Sequence, residues 1–129
     1  MSALISFLYV GLGGMAGAMT RYGLSLATQR WSVVLPWGTL LSNILGCFVI
    51  GIIVHLALRS DAVTPEMRLL GAVGFCGGFT TMSSFIYEAM EMVRDDAWLQ
   101  ASVYATGTLL GSTLAFFLGV ALVGLVTRA

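Results

Sequence analysis

Three stretches of this sequence set hydrogen-bonding side chains inside long apolar surroundings. The first is Gly74-Phe75-Cys76-Gly77-Gly78-Phe79-Thr80-Thr81-Met82-Ser83-Ser84-Phe85. Each of its glycines costs a helix about 1 kcal/mol relative to alanine, and the hydroxyl residues that follow compete for backbone hydrogen bonds. A helix broken near its middle is predicted there. Carbonyls freed by such a break, when sheltered by protein, are the material of ion sites in transport proteins; the competing reading is a glycine-rich helix crossing. The second stretch places Tyr104, Thr108 and Ser112 at i, i+4 and i+8, three hydroxyls on one helix face. The third pairs Thr39 with Asn43 at i, i+4. A membrane-buried Asn serves either as glue between helices or as part of a polar route. Donors gathered on three stretches, with no matching set of buried carboxylates, favour the route.

Arg21 and Glu88 are the ionisable groups nearest to lying inside apolar segments. Such groups are functional candidates by default, with snorkelling to an interface as the alternative. His55 lies one turn from Arg59, which suits an interfacial position better than a ligand role. Cys47 and Cys76 lack zinc or CxxC spacing and read as small apolar packing residues. A Ser or Cys nucleophile needs a base, and His55 and Glu88 belong to opposite ends of their segments. The chain is therefore not expected to be an enzyme.

The elements that hold these residues follow from composition. The chain has 129 residues, 58% hydrophobic and 9% charged, where a soluble domain carries about 25% charged residues, and its mean hydropathy is +0.95. A water-soluble globule is excluded. Six Arg balance six acidic residues with no basic patch, which sets nucleic acid aside as a partner. The charges leave four uncharged stretches, Met1–Thr20, Trp31–Leu58, Leu69–Tyr87 and Ala97–Thr127, each about 20 residues or longer and able to cross a lipid bilayer as a helix. The first has no Lys or Arg before Arg21 and outruns the apolar core of a signal peptide, so it reads as a span. The prediction is an all-α membrane protein, one four-helix transmembrane domain over residues 1–129 with spans near 3–26, 36–58, 66–92 and 98–126. Pro36 suits the first turn of helix two, and Thr64-Pro65 a cap and first helical position for helix three. Trp31, Trp37 and Trp98 read as an aromatic belt on one side.

Four spans put Arg59, Arg68 and Arg128 on one side and Arg21, Arg30 and Arg94 on the other. An even count gives little instruction about orientation and implies dual topology, with copies inserted both ways and paired antiparallel; the alternative is that the terminal amine or lipid composition decides. Gly13/Gly17 and Gly107/Gly111 have GxxxG spacing, which lets helix backbones approach closely. So many small faces in a thin bundle point to a homo-oligomer.

The run GFCGGFTTMSSF at 74–85, with Gly38-Thr39-Leu40, Asn43, Gly17, Arg21, Tyr104, Thr108 and Ser112, resembles the Fluc (CrcB) family of fluoride channels over essentially the whole chain. The helix-three run together with Asn43 is the specific part. The resemblance implies an antiparallel, dual-topology homodimer with four helices per subunit and two fluoride pores. It further implies that the backbone carbonyls of Gly77 and Thr80 enclose a structural sodium ion where the helix-three break meets its symmetry mate. An added Cβ at Gly77 is expected to crowd the unwound backbone.

The implied fluoride pathway holds Asn43, Met82, Ser83, Ser84, Phe85, Glu88, Tyr104, Thr108 and Ser112, with Arg21 in a vestibule. The family run normally reads TTFSTF, with two pore-lining aromatics. Phe85 carries over, Met82 lacks the aromatic quadrupole, Ser84 keeps a hydroxyl, and Phe116 stands where some relatives extend the hydroxyl track. Fluoride is small and strongly hydrated, so prearranged donors must replace its water. Without an ATP motif or a coupling carboxylate pair, passive export of fluoride that entered as HF is the implied role, in a bacterial cytoplasmic (inner) membrane. The alternatives are a small multidrug-type dual-topology transporter, against which stands the lack of an acidic residue in helix one, and a non-transporting membrane assembly subunit.

Overall fold

The computed structural model describes residues 2–59 and 63–127, and all regular structure among them is helical. Arg128, counted above for orientation, lies outside the described residues, as does part of the second loop. Helix α1 spans Ala3–Thr28 and α2 spans Trp37–Arg59. The third span is composite: α3 (Pro65–Arg68), a π-helical stretch Leu69–Cys76, α4 (Gly77–Phe79) and α5 (Met82–Arg94). Helix α6 covers Trp98–Val126.

Local chemistry explains the ends. Pro36 stands just before α2, and its carbonyl accepts from Leu40 N at 3.1 Å. Thr64 caps α3 by accepting from Met67 N at 3.3 Å, with Pro65 in the first turn, where a missing N–H costs nothing. Between α5 and α6 the chain reverses through Asp95 and Asp96, and Asp96 takes a left-handed φ of 57°, a conformation that a short polar side chain tolerates. This hairpin brings Trp98 to the end of the bundle that carries Trp31 and Trp37.

Helix α2 packs mainly on α6, and α1 on the first half of the third span. Glycines make both crossings possible. A Cβ on Gly17 would stand 2.1 Å from the Phe75 carbonyl oxygen, and one on Gly13 2.1 Å from that of Leu70. At the α2–α6 crossing the close approaches are Gly51 to the Phe116 carbonyl and Gly119 to the Phe48 carbonyl, each 2.3 Å from a built Cβ. The Gly107/Gly111 pair does not make that crossing: Gly107 faces open space and Gly111 meets only the Ile44 side chain. Spacing shows which glycines share a face, not what lies opposite it.

The interior is thin. Leu40, Phe85 and Tyr104 form its buried cluster, with Ile44, Ala89 and Met92 against it. Phe7, Leu12, Leu110, Leu114 and Phe117 all face outward. In water each would forgo about 1.5–3 kcal/mol of burial, whereas lipid tails are as apolar as leucine. All four spans are long and apolar enough to cross a bilayer.

Candidate ion site at the bend of the third span

The third span bends where α4 ends. Thr80 (φ −84°, ψ 156°) and Thr81 (φ −153°, ψ 121°) are extended. Thr80 N still reaches the Cys76 carbonyl at 2.9 Å, but the Thr81 amide, which in a continuous α-helix would bind the Gly77 carbonyl, donates to Asn43 Oδ1 at 2.7 Å. Asn43 Nδ2 returns a bond to the Thr81 carbonyl at 3.1 Å. One side chain of α2 thus satisfies both backbone groups of an extended residue at membrane depth, where an unpaired group costs several kcal/mol. Thr81 Oγ1 accepts from Ser84 N at 3.2 Å and so caps α5; it also lies 3.2 Å from the hydroxyls of Ser83 and Ser84.

Thr81 is the residue that sequence reasoning passed over. Its signal was a Thr three residues before Ser84 and directly after a glycine-rich run, which is the pattern of an N-cap.

Beside the bend lies a cavity of about 230 Å³ lined by Asn43, Cys47, Thr80, Thr81, Met82, Phe85, Thr108, Leu109 and Ser112. Among the described residues, no carboxylate or guanidinium lines it. The hydroxyls of Thr108 and Ser112 are buried with no hydrogen-bond partner, a state that costs about 1–3 kcal/mol per group unless something polar enters the cavity. Asn43 has a second amide N–H beyond the one given to Thr81. The N-terminus of α5 adds partial positive charge at the same place. The available donors and the absence of buried negative charge suit a small anion.

The structure brings Asn43, Met82, Phe85, Thr108 and Ser112 together and sets other candidates apart. Ser83 and Ser84 join the Thr81 cap without lining the cavity. Tyr104 is 1% exposed and donates from its hydroxyl to Glu88 Oε2 at 2.5 Å, while Thr39 Oγ1 donates to Glu88 Oε1 at 2.8 Å. Glu88 is thus tied to α2 and α6 instead of snorkelling, and it lines two further cavities toward the tryptophan-bearing end. The ring of Tyr104 packs on Phe85 with centroids 5.2 Å apart, so Phe85 connects the two groups of residues. Met82 lines the same cavity but is 63% exposed.

Arg21 donates from Nε to the Gly78 carbonyl at 3.2 Å. It meets the C-terminal end of α4, where positive charge is favourable. Gly77 is itself helical (φ −62°, ψ −37°), and a Cβ there would meet nothing within 4 Å. The expected crowding at Gly77 is overturned within one chain, because the non-helical residues are Thr80 and Thr81. His55 directs a buried, unpartnered Nε2 toward the α2–α6 contact near Gly124.

Residues 8–120 match the family described as CrcB-like protein, Camphor Resistance (CrcB). The chain belongs to the CrcB family. Among curated relatives, a protein of Prosthecochloris aestuarii is 45% identical over 89% of this chain and 90% of its own length. One from Chlorobium phaeobacteroides is 43% identical over 91% of each, and one from Chlorobaculum tepidum 45% identical over 87% of this chain and 89% of its own. All three bear the name fluoride-specific ion channel FluC. Membership in this family and four membrane-length helices make the chain a multi-pass integral membrane protein of a transport class, not an enzyme.

Proposed function

We propose that this CrcB protein is a passive, fluoride-selective channel. The observation that carries the reading is the cavity in which buried Thr108 and Ser112 hydroxyls without partners stand beside Asn43, Phe85 and the start of α5. Fluoride would exchange hydration for these donors stepwise, and a narrow route that demands dehydration disfavours chloride, which is larger. The edge of Phe85, held by Tyr104, offers the positive rim of its quadrupole. Ser83, Ser84, Glu88 and Tyr104 extend the route on either side, and Arg21 raises the potential at a vestibule.

The working unit in this reading is an antiparallel dimer of oppositely inserted copies with two pores, in a bacterial cytoplasmic membrane. Supporting it are the even Arg distribution, the thin interior and the exposure of Met82. The bend is read as the break that meets its symmetry mate, with a sodium ion held there by carbonyls of Gly77 and Thr80 from each copy. The donor set fits such an ion: it is all oxygen, as a hard cation requires, and Asn43 has diverted from Gly77 the amide that would otherwise occupy its carbonyl. Bound sodium would supply positive potential to the anion routes beside it.

The test is electrode-monitored efflux of fluoride and of chloride from liposomes containing this protein alone. Fluoride release without comparable chloride release is the expected result. No release of either ion would overturn the channel reading in favour of an assembly subunit.

A further inference from the structure

Cys47 and Cys76 are the two cysteines of the chain, and neither is in a disulfide. They come from α2 and from the π-helical stretch, yet both line one cavity of about 140 Å³, whose other walls are Gly46, Ile50, Ala72, Gly77 and Thr80. The α2 backbone lies close to the third span there: a Cβ on Gly46 would stand 2.3 Å from the Thr80 side-chain methyl. Among the described residues on these walls, the thiols are the only ionisable groups. Cys76 is buried, and Cys47 also lines the larger cavity beside Asn43. Cys47 is therefore a wall common to both spaces.

Two cysteines lining one small, mostly apolar cavity, with no His or carboxylate among its described lining residues, are too few for a closed zinc site, which takes four ligands. Soft monovalent d¹⁰ ions prefer sulfur and are satisfied by two donors. We propose that Cys47 and Cys76 form a two-sulfur site for a soft monovalent metal ion of the copper(I) and silver(I) class, set in the wall of the Asn43 cavity. On binding, one thiol loses its proton to water and its sulfur bonds the ion, while the other sulfur donates a lone pair. One positive charge enters and one leaves, and no electron moves. The ion draws Cys47 into a fixed position and obstructs the neighbouring cavity. Obstruction of flux rests on the proposed channel function, whereas binding does not.

The whole protein is incubated with silver nitrate in chloride-free buffer and desalted, and retained silver is measured by mass spectrometry. Wild type is expected to retain about one silver per chain, and Cys47→Ala and Cys76→Ala each to lose it by roughly tenfold or more, as a shared site of soft ligands requires. Zinc is expected to wash out. Cys47→Ser repeats the measurement should the alanine variant elute abnormally. Two silvers per wild-type chain, or unchanged retention in either single variant, would overturn the shared site. In chloride-free liposomes silver should slow fluoride efflux by wild type but not by Cys47→Ala. Retention with unaltered efflux would overturn the obstruction. Absence of efflux from untreated protein would overturn the channel reading, and silver retention would then decide the metal site alone.

Discussion

Asn43 and Thr81 are joined at both ends of one carboxamide, by a 2.7 Å bond from the Thr81 amide and a 3.1 Å bond to the Thr81 carbonyl. The same side chain therefore ties α2 to the bend of the third span and lines the cavity that Thr108 and Ser112 also line. Glue and route, offered by the sequence as alternatives, are compatible in one residue. Each net hydrogen bond is worth about 1 kcal/mol, while leaving a buried partner unpaired costs about 1–3 kcal/mol.

Asn43→Asp separates the two roles. The carboxylate still accepts from the Thr81 amide but loses the donor to the carbonyl and adds a negative charge where an anion would pass. A like charge at about 5 Å and an effective dielectric near 20 costs roughly 3 kcal/mol, so fluoride efflux should fall about a hundredfold. Efflux and dimer elution are measured on the same preparation; normal efflux by folded Asn43→Asp would remove the donor role.

Phe85 and Met82 should respond differently. Phe85 is 5% exposed and packed on Tyr104, so Phe85→Ile loses both the ring edge and an aromatic contact worth about 0.5–1.5 kcal/mol. Met82 lies exposed at the cavity mouth, and Met82→Phe should retain or raise flux by restoring a second ring edge. Thermal unfolding recorded with efflux divides packing from conduction. Equal flux in Phe85→Ile and wild type would eliminate the aromatic contact.

Gly17 and Gly77 make a second contrast. Gly17→Ala places a Cβ against the Phe75 carbonyl in the chain's own core, so folded yield itself should drop, with a loss on the order of 1–3 kcal/mol from overpacking. A Cβ at Gly77 meets nothing within 4 Å outside its own helix, so Gly77→Val should spare the fold while shifting size-exclusion elution from dimer toward monomer. Thr80→Val keeps the methyl contact with Gly46 and should be milder than Gly77→Val. A fully dimeric Gly77→Val would argue against a partner at this face.

Two lysines added to the second loop should drive copies into a single orientation and depress flux until an oppositely biased copy is co-expressed. Orientation is read by cysteine labelling from either side of the membrane. Full flux from a single-orientation population would contradict the antiparallel dimer.

The spans were legible because apolar length alone dictates them, and the Thr64-Pro65 start because capping is local. The Gly13/Gly17 spacing marked the tight face of α1. Illegible were the partners across space. Gly51 and Gly119 form the α2–α6 crossing without a GxxxG signal, and the three hydroxyls of α6 diverge although they share a face. That face runs about 12 Å from Tyr104 to Ser112, long enough for one end to meet Glu88 and the other to open on the Asn43 cavity. The pairing of Asn43 with Thr81 depends on a bend that propensity locates only to within a few residues.

The α2–α6 contact also carries a consequence for biogenesis. Asn43 and Thr81 emerge from the ribosome before Thr108 and Ser112, because α6 follows the other three spans in the chain. Until it docks, Gly51 and its face of α2 lack their principal neighbour, and the cavity lacks the wall that α6 supplies. A nascent chain arrested before α6 would hold the bend without an enclosed conduit. In the proposed channel, the permeation route is thereby completed only after α6 has been made, so a chain stopped short of it encloses no route.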